Sequence, residues 1–201
     1  QPSDDTIRVL HVSDLHLNPS AWPIIDAVAK QFDVTAIVDS GDIADHGTTA
    51  ENAYLTRIAS LGVPYVYVRG NHDSTDTESA VKSQPNAVVL DGEPVEVGGL
   101  RFVGLPDPRF TLDMTTRDNG DDVAVEKQTE ELAMIARTAR PRADAVVFHD
   151  PTYAELLDGS APLVLAGHAH KRSTRFMTEG TRLMVQGSTG GAGLRALEGE
   201  E

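Results

Sequence analysis

The chain has 201 residues, 40% hydrophobic and 24% charged, an ordinary composition for one globular domain with a substantial core. A formal net charge of −14, with no Lys/Arg cluster interleaved with aromatics, argues against a nucleic-acid partner. Cysteine is absent, which excludes disulfides, thiol catalysis and sulfur-ligated metal sites, and no apolar run approaches the roughly 18 residues of a membrane span.

In chain order, residues 7–13 (IRVLHVS) form a short run of β-formers, and residues 23–32 follow with helical spacing, Ile24, Ile25, Val28, Ala29 and Phe32 sharing one side. Residues 34–40 read as a second strand ending at Gly41-Asp42. Thr48, Thr49 and Glu51 then open a helix carrying Leu55, Ile58 and Leu61. Residues 63–69 (VPYVYVR) give a third strand ending at Gly70-Asn71. Strands separated by helices of this length predict parallel βαβ units buried on both faces.

The middle of the chain has a different texture. Residues 86–90, 94–97 and 100–104, joined by Asp91-Gly92 and Gly98-Gly99, predict a β-meander with tight turns. Residues 106–122 are the longest irregular stretch, of the kind that forms lids and binding loops. A helix over 126–140 is stopped by Pro141. Strands over 145–148 and 162–166 follow, then a hairpin over 173–178 and 181–186, a glycine-rich loop over 187–193 and an acidic tail. With no internal repeat or dividing linker, residues 1–201 read as a single domain, a layered α/β/β/α sandwich of two mixed sheets flanked by helices. The chain starts at Gln1-Pro2 rather than Met, so excision from a longer protein, and tethering by a removed segment, stay open.

Five short segments stand out against this background. Asp14-Leu15-His16, Gly41-Asp42, Gly70-Asn71-His72-Asp73, His149-Asp150 and Gly167-His168-Ala169-His170 hold five of the seven histidines, and most follow an apolar strand. Strand ends of an α/β sheet converge on one rim, where ligands collect. Carboxylate and imidazole at i and i+2 of an extended segment point the same way and could grip one cation together. Taken singly, most segments are as well explained by turn chemistry or a solvated histidine, whereas a turn at Gly70-Asn71-His72-Asp73 would not need its His-Asp pair. Their recurrence at successive strand ends argues for one site.

The order and identity of these segments resemble the signature of the calcineurin-like metallophosphoesterase family, over positions 14 to 170, with no ligand position missing or replaced. The resemblance implies one metal held by Asp14, His16, Asp42 and His170, and a second held by Asp42, Asn71, His149 and His168, with Asp42 bridging. It implies hydrolysis of a small phosphomonoester or phosphodiester by a metal-bridging hydroxide, His72 protonating the leaving group and Asp73 setting the tautomer of His72. The N/O donor set suits two ions of manganese, iron or zinc and does not choose among them. A pyrophosphatase acting on a nucleotide or lipid-linked diphosphate is the alternative, and a non-catalytic scaffold on the same fold a remoter one. Asn71, His46 and Arg109 are candidate substrate contacts, Arg109 as a phosphate clamp from the 106–122 loop. His11 reads as a packed or supporting residue, and the 187–193 loop as backbone packed beside the histidine loop.

Overall fold

The computed structural model describes residues 6–110, 122–189 and 191. Strands β1 (Val9–Val12), β2 (Ala36–Asp39), β3 (Tyr65–Tyr67) and β4 (Ala87–Val89) form a wholly parallel sheet in that order. Helices occupy its crossovers: α1 (Ala21–Phe32), a helical stretch running through α2 (Asn52–Leu55), and α3 (Thr75–Lys82). The second sheet holds β5 (Val95–Val97), β6 (Leu100–Gly104), β7 (Ala145–Val147), β8 (Leu163–Ala166), β9 (Ser173–Phe176) and β10 (Arg182–Val185), in the order β5-β6-β7-β8-β10-β9. Its four central strands are parallel and its two edge strands antiparallel to their neighbours. Helix α4 (Asp122–Thr138) lies against this sheet.

Three apolar layers hold the sandwich together. Trp22, Ile25 and Ala29 of α1 pack with Ile37, Tyr65 and Tyr67 on the outer face of the first sheet. Ala36, Val38 and Val66 point the other way and meet Phe102, Val147 and Leu165 between the sheets. Val103, Val146 and Val164 then face Leu132, Ala133 and Ala136 of α4. Alternate residues of one strand thus enter different layers, which is why the central strands are apolar throughout. The result is the α/β/β/α sandwich that the alternation of elements predicts.

Several local expectations are corrected. Helix α1 starts at Ala21, so its buried face is Ala21, Trp22, Ile25 and Ala29, while Ile24 and Phe32 are exposed. The meander over 86–104 does not form. β4 pairs parallel with β3 in the first sheet, and only β5 and β6 make a hairpin. Asp91-Gly92 carries the chain between sheets instead: Gly92 has φ 103°, and its N–H donates to the Gly104 carbonyl at 2.8 Å. Helix α3 and the 3₁₀ segment Pro151–Leu157 lie where the sequence reading placed no element, and α4 begins four residues before the predicted 126. Most of the 106–122 loop and the acidic tail lie outside the described residues.

Candidate metal centre

The five segments leave the carboxyl ends of β1, β2, β3, β7 and β8, parallel strands that carry them to one rim spanning both sheets. The backbone there is not extended. Asp14 (φ 53°), His16 (φ 44°), Asp42 (φ 60°), His168 (φ 65°) and His170 (φ 50°) are left-handed, so the expected i, i+2 alternation gives way to tight loops. β1 already ends at Val12, and the loop after it is zipped to the loop after β2. Asp14 N–H donates to the Gly41 carbonyl (2.9 Å), His16 N–H to that of Asp42 (3.1 Å) and Leu17 N–H to that of Ile43 (3.1 Å). Gly70 is required by close approach: a Cβ there would overlap the Asp42 carboxylate.

Two groups of donors result. Asp14, His16 and His170 bring one atom each within 4.8 Å of one another, and Asp42, His149 and His168 do the same. The groups adjoin, since Asp42 Oδ2 lies 3.1 Å from His149 Nε2 and 3.9 Å from His16 Nε2. Asn71 Oδ1 stands 3.0 Å from His149 Nε2 and 3.1 Å from His168 Nδ1, on the second group.

These residues fit cations. Asp14 Oδ1 is buried with no hydrogen-bond partner. His16 Nε2 and His170 Nε2 face each other at 3.2 Å, as do His149 Nε2 and His168 Nδ1, and lone pairs converging on one point call for a Lewis acid. Burial opposes ionisation of Asp42, but His149 beside it holds the carboxyl well below the usual range; His170 and His149 likewise lower Asp14 against its burial. Burial works against a charged His149 as well, yet Asp42 raises it far above an ordinary imidazole, a pairing that marks where positive charge belongs.

The outward-facing nitrogens of these rings also have polar neighbours. His16 Nδ1 meets Asp45 Oδ1 at 3.0 Å, His149 Nδ1 donates to the Ser40 carbonyl at 2.8 Å, and His168 Nε2 lies 3.6 Å from Asp150 Oδ2. The sequence reading assigned Asp45 and Asp150 no role. Asp45 follows Asp42 by three residues and Asp150 adjoins His149, but spacing alone does not say that either carboxylate turns toward a histidine.

His72 sits beside the first group, its ring centroid 5.5 Å from that of His16. Its N–H donates to Asp42 Oδ1 (2.8 Å) and its Nδ1 to the Asp45 carbonyl (3.0 Å). That carbonyl, rather than Asp73, is the partner of its Nδ1. The Asp73 carboxylate accepts backbone N–H bonds from Asp42 (2.7 Å), Gly70 (2.9 Å) and Ala44 (2.9 Å), tying the loops after β2 and β3 together, and burial with Asp42 nearby pushes it up to about 6. Arg109, anticipated as a phosphate clamp, is held by two carboxylates: its Nε and Nη2 reach Asp107 at 2.9 and 2.7 Å, and Nη2 reaches Asp150 at 2.7 Å. His46 is exposed and belongs to neither donor group. The loop after β10 lies against the rim, Ser188 Oγ donating to the Asp14 carbonyl at 2.7 Å and Thr189 N–H to that of Ser13 at 2.9 Å.

Comparison with known proteins agrees with this geometry. A protein of Thermus thermophilus shares the fold with a TM-score of 0.67 at 14% identity, 92% of this chain matching 91% of that one. A dimetal phosphatase from Danio rerio gives 0.62 at 14% identity over 94% and 89% of the two chains. An archaeal phosphodiesterase gives 0.52 at 13% identity over 91% and 85%. No curated protein gives a significant sequence match. The fold is one shared with known phosphoesterases. The profile of the calcineurin-like phosphoesterases matches residues 7–172, and the chain belongs to that family.

Proposed function

We propose that the chain hydrolyses phosphomonoester or phosphodiester bonds of a small substrate with the help of two metal ions, one held by Asp14, His16, His170 and Asp42, the other by Asp42, His149, His168 and Asn71. The observation that carries this reading is the adjacency of two donor groups, with Asp42 between them and His72 at their edge. Bound there, manganese, iron or zinc ions would supply Lewis acidity for water activation and for charge developing on phosphorus.

The protein's own groups account for the rest. Nδ1 of His72 contacts the Asp45 carbonyl, and in this reading Nε2 carries the proton for a departing oxygen. Asp42 both receives the His72 N–H and neighbours both ligand groups, which ties the acid to the centre. The Asp45 carboxylate and the Ser40 carbonyl hold the His16 and His149 rings from behind, and Asp150 faces His168, which limits the reorganisation left for the reaction itself.

The test is hydrolysis of p-nitrophenyl phosphate and bis-p-nitrophenyl phosphate by metal-stripped protein after manganese, iron or zinc is restored. Metal-restored activity that Asp42→Ala abolishes is expected. His72→Ala should retain both ions and lose on the order of 10²–10⁴-fold in rate, the usual contribution of a general acid. Two tightly bound ions with no turnover of either ester would favour the non-catalytic reading of the same fold.

A further inference from the structure

Three of the four candidate histidine ligands, His16, His149 and His168, are not supported alike. His149 and His16 present Nε2 to the centre and anchor Nδ1 on the Ser40 carbonyl and the Asp45 carboxylate at hydrogen-bonding distance. His168 is turned the other way. Its Nδ1 faces Asn71 and His149, and its Nε2 points to Asp150 Oδ2 across 3.6 Å, too far for a hydrogen bond. Its side chain is also 34% exposed where those of His16 and His149 are fully buried. Among these ligands it is the one whose orientation depends most on a single charged neighbour.

That neighbour is itself fixed from elsewhere in the chain. Asp150 Oδ1 accepts the N–H (2.9 Å) and the hydroxyl (2.6 Å) of Thr152, and Oδ2 accepts Arg109 Nη2 at 2.7 Å. Arg109 is gripped on its other edge by both oxygens of Asp107. All three side chains are nearly buried, at 11%, 2% and 5% exposure for Arg109, Asp107 and Asp150. Two buried carboxylates this close together require a cation between them, and one guanidinium leaves the trio a single net negative charge. Asp150 directs that charge at the His168 ring, favouring the proton on Nε2 and the lone pair on Nδ1, where a ligand is needed.

We infer that Arg109 and Asp150 are positioning residues for the second cation site: they govern how tightly the ion at Asp42, His149, His168 and Asn71 is held, without touching it. The inference rests on the proposed two-metal reading. It also gives Arg109, which leaves the loop before residue 111, a role other than substrate binding. The first site has a separate brace, Asp45 behind His16, so the two sites should be separable by mutation.

The test is Mn²⁺ uptake by metal-stripped protein, followed by calorimetry, elemental analysis and electron paramagnetic resonance. Wild type should bind two ions and show a spin-coupled pair. Asp150→Ala and Arg109→Gln should keep one ion at unchanged affinity and weaken the other about 10–100-fold, the usual effect of removing a ligand's outer partner, replacing the coupled signal with that of isolated Mn²⁺. Asp45→Ala should weaken the opposite ion. Circular dichroism of the metal-free proteins reports folding, and Arg109→Gln decides the matter if Asp150→Ala does not fold. Two ions at wild-type affinity in Arg109→Gln, or equal weakening of both ions, overturns the brace while leaving the two-metal reading intact. A wild type that never binds two ions overturns both.

Discussion

Five of the seven non-glycine residues with positive φ among the described residues are metal-ligand candidates: Asp14, His16, Asp42, His168 and His170. Asp and His tolerate the left-handed region better than most residues, yet each such position still costs on the order of 1 kcal/mol. The backbone bonds between the β1 and β2 loops offset part of that cost, and ions bound as proposed would offset more. His11 is a different kind of residue on the same framework. Its Nε2 meets Ser40 Oγ at 3.0 Å, its Nδ1 is buried without a partner, and burial pushes the imidazole down to about 4. It is neutral in the folded chain, whereas the unfolded chain protonates it below about 6.5. Its contribution is therefore complete above pH 6.5 and is lost as the pH falls toward 4, about 3 kcal/mol in all. In metal-free protein with chelator present, urea unfolding of His11→Asn should show a smaller loss of stability between pH 6.5 and 4 than wild type; identical pH profiles would contradict this. The candidate ligands could be picked out in the sequence because His and Asn are few and share short segments with Asp after apolar runs. Their conformation could not, because φ is set by contacts between loops far apart in the chain.

Among the elements, α3 shows where pattern reading runs out. Only Thr77 and Val81 of its eight residues are buried, too few to mark a helical period. Its start is specified by a capping box in which Thr77 replaces the usual Glu or Gln: Ser74 Oγ accepts the Thr77 N–H at 3.0 Å, and Thr77 Oγ1 accepts that of Ser74. The same Ser74 hydroxyl donates to the Gly47 carbonyl at 2.6 Å, fastening the helix to the loop that carries Asp45. Ser74→Ala should thus cost more than an ordinary cap, about 2 kcal/mol in chemical unfolding, from a cap worth ~1 kcal/mol plus a buried hydrogen bond of similar size. A change within about 0.5 kcal/mol would show that the fold holds α3 without it. The mistaken meander has a related cause. Asp91-Gly92 carries genuine turn chemistry, but a turn does not say whether the chain re-enters the same sheet. That choice was made by burial, Leu90 and Val97 both entering the layer between the sheets.

At the scale of the molecule, the alternation of strands and helices was enough to predict the sandwich, because parallel sheets covered by helices leave a strong apolar signal in every central strand. The same scale sets what metal removal should do. With free metal at about 100 times each dissociation constant, two ions stabilise the native state by about 5 kcal/mol, roughly 10–20 °C in melting temperature for a chain of this size. Calorimetric melting with and without chelator checks this, and coincident transitions would contradict it. The charge of −14 makes the metal-free state costlier still, since the centre gathers carboxylates that ions would otherwise neutralise.

Asp14 lies just beyond the first strand, and His170 just beyond the eighth. An ion gripping both, as proposed, would be a detachable cross-link closing residues 14 to 170 into one loop, and closing long loops removes the most freedom from the unfolded state. Until His170 has been synthesised and β8 has docked, the first ion lacks a ligand. On the two-metal reading this clasp between the two sheets would be fastened late in folding, and taking it away should loosen the join between the sheets before either sheet itself.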